Sequence, residues 1–151
     1  MPRRIYLASS WRNTFHAAFV PLIRSWGHDV YDFTQRVQHV NGRQGCKAFG
    51  WEQMNEHYRE WQAQQYVWDL TSNIVAAGGY LSDLRHMEWA DTCVMLLPCG
   101  RSAHLEAGYM KGRGKHVVIC FPDDKLEEPE LMYLLADNIV VGYEQLKEVL
   151  Q

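Results

Sequence analysis

Two carboxylates, a phenol and a set of hydroxyls are the groups in this chain with the most chemistry to offer. They are Asp83 and Glu106, Tyr6, and Ser9, Ser10 and Ser102, with the Arg12 guanidinium close by in sequence. A carboxylate can attack the anomeric carbon of a sugar and form a covalent glycosyl ester, while a second acid or base handles the proton on the leaving group. A phenol can fix the orientation of such a nucleophile by a hydrogen bond. A guanidinium, serine hydroxyls and free backbone N–H groups can bind an anion such as a 5′-phosphate. Each residue also has an ordinary reading. A Glu near a helix start complements the helix dipole. Asp83, just after Gly78-Gly79, can be a cap, Tyr6 can be core, and Arg12 can be a solvated charge. His104 and Arg101 read as surface residues.

These groups matter only if the fold gathers them. Residues 93–97 are a continuous apolar run, which reads as a strand buried on both faces. The run breaks at Pro98 and Gly100 and resumes as a helix, with Ser102 as its expected N-cap and Glu106 about one turn on. Upstream, residues 4–8 form a short apolar strand, residues 13–26 a helix with one apolar face, Gly27 its stop, and residues 29–33 a second strand. This βαβ opening has no GxGxxG fingerprint, so no dinucleotide is indicated. Residues 34–50 show little periodicity and read as a loop, and residues 51–69 as helix in two pieces, rich in Trp, Tyr and Gln. Such a segment suits a lid or base-stacking surface, but filling core is the more ordinary use of its rings. Residues 71–90 read as a helix interrupted at Gly78-Gly79. Strands at 92–97, 115–121 and 138–141 come next, with a helix over 102–112, a short helical segment at 128–136 and a closing helix at 143–150.

Helices alternating with apolar strands predict a single α/β domain over residues 1–151, with an aromatic-rich insertion at about 34–69. The expected sheet is five-stranded and parallel, in order 2-1-3-4-5, flavodoxin- or Rossmann-like, with helices on both faces. That order sets the first and third strands side by side and makes their carboxyl ends the topological switch point. Residues 6–12 then meet residues 100–106.

Composition limits the function classes. The chain has 151 residues, is nearly half hydrophobic and carries a formal charge of −3, which suggests neither disorder nor a nucleic-acid-coating surface. No long apolar stretch suggests a membrane span or signal peptide. Cys46, Cys93, Cys99 and Cys120 form no CxxC pair and no zinc-like spacing with His, so no metal is expected, and free thiols fit a reducing, cytoplasmic compartment. Cys99, at the strand end, reads as a structural thiol because no activating base is identifiable.

Five segments, in order, resemble the nucleoside 2-deoxyribosyltransferase family and its relatives that hydrolyse nucleoside 5′-monophosphates. Arg4-Ile5-Tyr6-Leu7-Ala8 is similar to the opening strand with its active-site tyrosine. Ser82-Asp83-Leu84, with Asp91 eight residues after Asp83, resembles the segment of the sugar-binding aspartate, and His104-Leu105-Glu106-Ala107-Gly108-Tyr109 that of the nucleophilic glutamate. Gly114-Lys115-His116-Val117-Val118 resembles the glycine-lysine entry to the next strand. Pro129-Glu130-Leu131-Met132 and Ala136-Asp137-Asn138-Ile139-Val140 resemble the family's C-terminal portion. The resemblance implies that Glu106 is the nucleophile, that Tyr6 orients it and that Asp83 holds the sugar hydroxyls. It implies substrate contacts at Ser9, Ser10, Arg12, Gly100 and Ser102. Met132 lies in the C-terminal portion that can complete a neighbouring subunit's site, so a homodimer or larger homo-oligomer is implied. No cofactor is implied; the partner is a small nucleoside or nucleotide.

Two departures refine this. Transferases of the family resemble one another in an aspartate six residues before the nucleophile, where this chain has Gly100; Asp91, Asp32 or the insertion is left to handle the base's proton. Ser10 and Arg12 instead resemble the serine and arginine that hold a 5′-phosphate in the monophosphate glycosidases. The alternative is a non-catalytic nucleotide-binding module on the same scaffold, or a partner-binding domain with the aromatic insertion as interface.

Overall fold

The computed structural model describes residues 1–35, 39–40, 43–44 and 49–151, with backbone alone at 39, 40, 43 and 44. Cys46, Gly42 and Gly45 lie outside the described residues. Numbered along the chain, the strands are β1 (Arg4–Ala8), β2 (Asp29–Tyr31), β3 (His39–Val40), β4 (Arg43–Gln44), β5 (Thr92–Leu96), β6 (His116–Phe121) and β7 (Asn138–Val141). The helices are α1 (His16–Ser25), α2 (Ala63–Ser72), α3 (Ile74–Trp89), α4 (Arg101–Gly112) and α5 (Gly142–Leu150). The chain forms two compact units, one of Met1–Asp32 with His86–Gln151 and one of Phe33–Arg85.

The first unit holds a five-stranded sheet in order β2-β1-β5-β6-β7, every pair parallel. This is the expected 2-1-3-4-5 arrangement, and β1 pairs with β5 at the switch point. All five residues of β5 are buried, as a central parallel strand covered on both faces requires. One face packs Ile5, Leu7, Val94, Leu96 and Val118 against Phe19, Val20 and Ile23 of α1 and Leu146 and Leu150 of α5. Because side chains alternate along a strand, Tyr6, Cys93 and Val117 point to the other face. There α4 lies across β1, β5 and β6 through Ala103, Ala107 and Met110.

Helix α1 starts later than its periodicity suggests, because residues 9–13 form a polar turn. Gly27, at φ +92°, ends it in the left-handed region. The segment 128–136 contributes one 3-10 stretch, Leu131–Leu135.

The second unit has its own organisation. Two short antiparallel strands, β3 and β4, stand where a loop was expected. Only part of residues 51–69 is α-helical: two 3-10 turns, Trp51–Gln53 and Tyr58–Glu60, precede α2. Trp51 packs edge-on against Phe49, Trp61 and Tyr66, with ring centroids 5.0–6.1 Å apart, so these rings build a small core of their own. Helix α3 is not interrupted at Gly78-Gly79. The break falls earlier, at Asn73, whose side chain accepts from the Val75 N–H. Gly79 is helical, and the Phe49 ring stands 3.3 Å from where a Cβ would be, so the glycine serves packing.

Three polar groups fasten the amino-terminal edge of the sheet. Lys115 donates to the carbonyls of Met87, Glu88 and Ala90, capping the end of α3. Asp91 accepts from the Arg4 N–H and guanidinium and from the Thr92 hydroxyl. Burial pushes the Asp91 carboxyl up, but these bonds outweigh it and hold the group below the usual carboxylate value. Asp137 takes the Lys111 ammonium at 2.6 Å and the Val117 N–H at 2.8 Å, and the Lys111 bond, chiefly, holds its pKa down. A carboxyl lowered in the folded state stabilises it above the unfolded pKa of about 4, and that stability is lost as pH falls through the folded value. Asp137→Asn is therefore expected to be less stable than the unsubstituted protein at neutral pH, and the gap in Tm is expected to close below about pH 4. A gap independent of pH would contradict this.

Candidate functional site

The site is built at the carboxyl edge of β1 and β5. Tyr6 is almost fully buried, and its register partners are Tyr31 on β2 and Cys93 on β5. Its ring stacks on Tyr31 at 5.4 Å, and Tyr31 stacks on His86 at 3.7 Å. The three rings hold Tyr6 in one orientation. Glu106 is half-buried on α4, the helix lying over the same face. Its charge reaches the thiols beneath. Burial, with the Glu106 carboxylate adding to it, pushes Cys93 far up and Cys99 to about 12. Glu106 thus stands within electrostatic reach of Tyr6's lateral neighbour, Cys93. Cys99 is accordingly a thiol at neutral pH rather than a thiolate nucleophile.

Helix α4 corrects two expectations. Its N-cap is Gly100, in extended conformation, with no side-chain cap bond; Ser102 is an exposed residue of the first turn. The turn through Leu97-Pro98-Cys99 brings Gly100 to the cap position, and its carbonyl accepts from both the backbone N–H and Nδ1 of His104. Glu106 is the sixth helical residue, beyond the first turn where the helix dipole is felt. A Cβ at Gly100 would meet nothing within 4 Å, and the backbone there needs no glycine. The absence of an acid at this position is not imposed by space.

Opposite Gly100, residues 9–13 form the turn after β1. Asn13 is buried, and its amide donates to the carbonyls of Leu96 and Pro98 while its oxygen accepts from the Phe15 N–H. One side chain thus ties the turn after β1 to the turn after β5. Ser10 is part-exposed and accepts from the Arg12 N–H; Arg12 is exposed. Ser9 bonds to His16 at 2.5 Å, and His16 bonds to Asp32 at 2.8 Å. The structure therefore gathers Tyr6, Ser9, Ser10, Arg12, Gly100, Ser102 and Glu106 around one edge of one unit. Asp83 lies half-buried on α3, in the Phe33–Arg85 unit. Met132 is exposed on the 3-10 stretch, where its N–H is held by Glu130. Asp91, considered for the base's proton, precedes β5 on the amino-terminal edge. Five residues at about 3.3 Å each separate it from the carboxyl edge, and its hydrogen bonds to Arg4 and Thr92 make it structural.

Sequence reasoning missed Asn13 and His16. The available signal was a His at the head of α1, in line with Phe19 and Ile23 at helical spacing. His104 is not a free surface residue either. With Nδ1–H given to the Gly100 carbonyl, its Nε2 accepts from the Tyr133 hydroxyl at 2.9 Å. A cavity of about 510 Å³ opens beside it, lined by Phe15, Pro98, Cys99, His104, Phe121 and Tyr133 among others, but not by Tyr6 or Glu106. A wider one of about 600 Å³, around Arg24, His28 and Trp89, lies away from these groups. Among the described residues no three or more His, Cys, Asp or Glu converge as a metal site, and no helix is long and apolar enough to cross a membrane.

No family model matches this sequence, and no curated protein does. Solved structures do. A 2-deoxyribosyltransferase from the psychrotolerant bacterium Bacillus psychrosaccharolyticus matches with a TM-score of 0.52 at 17% identity, over 96% of this chain and 88% of that one. The two chains share a fold. A conserved protein from Enterococcus faecalis V583 matches with a TM-score of 0.59 at 15% identity, over 98% and 96% of the two chains. The resemblance expected from the sequence holds at the level of the fold.

Because the Glu106 charge adds to burial in raising the Cys99 thiol, removing that charge eases ionisation of the thiol. In Glu106→Gln the pH profile of Cys99 alkylation, followed by peptide mass spectrometry, is expected to move to lower pH. An unmoved profile would place the carboxylate elsewhere.

Proposed function

We propose that this chain cleaves the N-glycosidic bond of a nucleoside, deoxynucleoside or its 5′-monophosphate, passing the sugar to water or to a second base. The observation that carries the reading is the placement of Glu106, on the helix that covers β1 and β5, over the face to which Tyr6 belongs. A half-buried carboxylate on α4 lies over the strand face on which a ring-stacked tyrosine is fixed, at the switch point where open parallel sheets bind ligands. The sugar-transfer activity of a structural neighbour with the same fold supports it.

In this reading a Glu106 oxygen attacks C1′, and the C1′–N bond breaks with its electron pair going to the base, which takes up a proton. Water, or a second base, then attacks C1′ and frees Glu106. Tyr6 orients the carboxylate. Ser10, Arg12 and the backbone around Gly100 and Ser102 take the 5′ end. The exposed Leu131, Met132, Leu134 and Leu135 suit a homo-oligomer in which one protomer completes its neighbour's site. The free thiols Cys93, Cys99 and Cys120 fit a cytoplasmic setting.

The deciding experiment is incubation with a panel of nucleosides and 5′-monophosphates, with and without a second base, followed by chromatography of freed and exchanged bases. Base release or exchange is expected, and Glu106→Gln is expected to lower it by about 10³-fold or more. Tight binding with no release over long incubation would instead make the chain a nucleotide-binding module. Turnover undiminished in Glu106→Gln would remove the nucleophile assignment. Arg12→Ala is expected to weaken monophosphate binding by about tenfold or more while changing nucleoside binding little. Equal losses for both would take the phosphate role from Arg12.

A further inference from the structure

The hydrogen-bonded chain Ser9–His16–Asp32 has the composition of an activated serine, a use distinct from the substrate contact expected of Ser9 and the proton transfer considered for Asp32. Ser9 is the first residue past β1, part-exposed at the carboxyl edge of the sheet. His16 opens α1, and Asp32 is the first residue past β2. The His16 and Asp32 side chains are each only 5% exposed. Three separate elements thus converge to put a buried imidazole and a buried carboxylate directly behind one reachable hydroxyl.

The tautomer follows from the partners once Asp32 is taken as ionised. An ionised carboxylate only accepts, so His16 Nε2–H donates to Asp32 Oδ1 at 2.8 Å. In the neutral ring Nδ1 then carries the lone pair, and the Ser9 hydroxyl donates to it at 2.5 Å. Base and orienting acid therefore stand in the order that nucleophilic serine chemistry uses. The ring is turned end for end relative to the common arrangement, in which Nε2 faces the serine. Either ring nitrogen can take the proton, provided the other is held by the carboxylate. A tether joining β1 to β2 would not need to end on a hydroxyl at the ligand-binding edge.

We propose that Ser9 is a general-base-activated nucleophile toward activated carboxylic esters. The Ser9 Oγ attacks the carbonyl carbon as its proton passes to His16 Nδ1, and Asp32 stabilises the imidazolium. The carbonyl–oxygen bond to the leaving group breaks, and His16 returns the proton to the departing oxygen, leaving an acyl ester on Ser9. Water attacks that ester, gives its proton to His16, and the carboxylic acid leaves as the Ser9 hydroxyl is restored.

The test uses the full chain and a fluorophosphonate probe, with p-nitrophenyl acetate as the ester. A phosphonylated serine forms with loss of fluoride, and neither measurement requires base release, so the outcome stands apart from the glycosidic reading. The expected result is one label per chain, mapped by mass spectrometry to Ser9, with ester turnover lost in Ser9→Ala. His16→Gln and Asp32→Asn are expected to slow labelling on the order of a hundredfold. Ser25→Ala, far along α1, is expected to label like the unsubstituted protein. Should a buried-pair variant fail to fold, the mapped position in the unsubstituted protein still decides. No label, a label elsewhere, or a folded Asp32→Asn labelled at the full rate would make the chain a structural tether and overturn the proposal.

Discussion

The site depends on β1 and β5 lying side by side with their carboxyl ends held together. Backbone pairing over Ile5–Ala8 and Thr92–Met95 aligns the strands. Asn13 then locks the two loops that leave them, by donating to Leu96 and Pro98 across 83 and 85 residues of sequence. Buried amide groups are costly to leave unpaired, so this bridge has one satisfactory geometry. Every candidate group in the first unit takes its place from it. Tyr6 and Ser9 come off one strand, Gly100 and Glu106 come after the other, and the distance between the two sets is fixed by pairing rather than by flexible loops.

Beneath that edge the two faces of the sheet do different work. The α1–α5 face is apolar and continuous from Ile5 to Leu150, and supplies burial. The α4 face mixes rings and thiols. Tyr6, Tyr31 and His86 stack along it, and Cys93 and Cys99 lie within the field of Glu106. The polar fastenings by Lys115, Asp91 and Asp137 sit at the other edge, so they and the candidate site are separated along the strands.

The sheet was legible because each strand is short, apolar and followed by its own turn signal. The run 93–97 can be nothing but central, and the closing strand at 138–141 agrees with the structure residue for residue. Helix boundaries were less legible. Gly78-Gly79 looks like a break, yet Gly79 is there because Phe49 needs the room, a fact held in a contact 30 residues away. Ser102 looks like a cap, yet the turn geometry hands that position to Gly100. That the stretch from Tyr6 to Arg12 lies beside the stretch from Gly100 to Glu106 was readable from the strand order. Asn13 and His16 were not, since what they do is set by partners on other strands. The aromatic stretch read equally as lid or core, and its rings turn out to pack on one another.

The open space around Gly100 bears on how such a scaffold changes occupation. Nothing in the backbone holds that residue as it is, and a larger side chain there would project from the head of α4 without rebuilding its surroundings. On the proposed reading, an acid could be added or withdrawn at this position in a single mutational step, and the choice between water and a second base as acceptor would then turn on one residue.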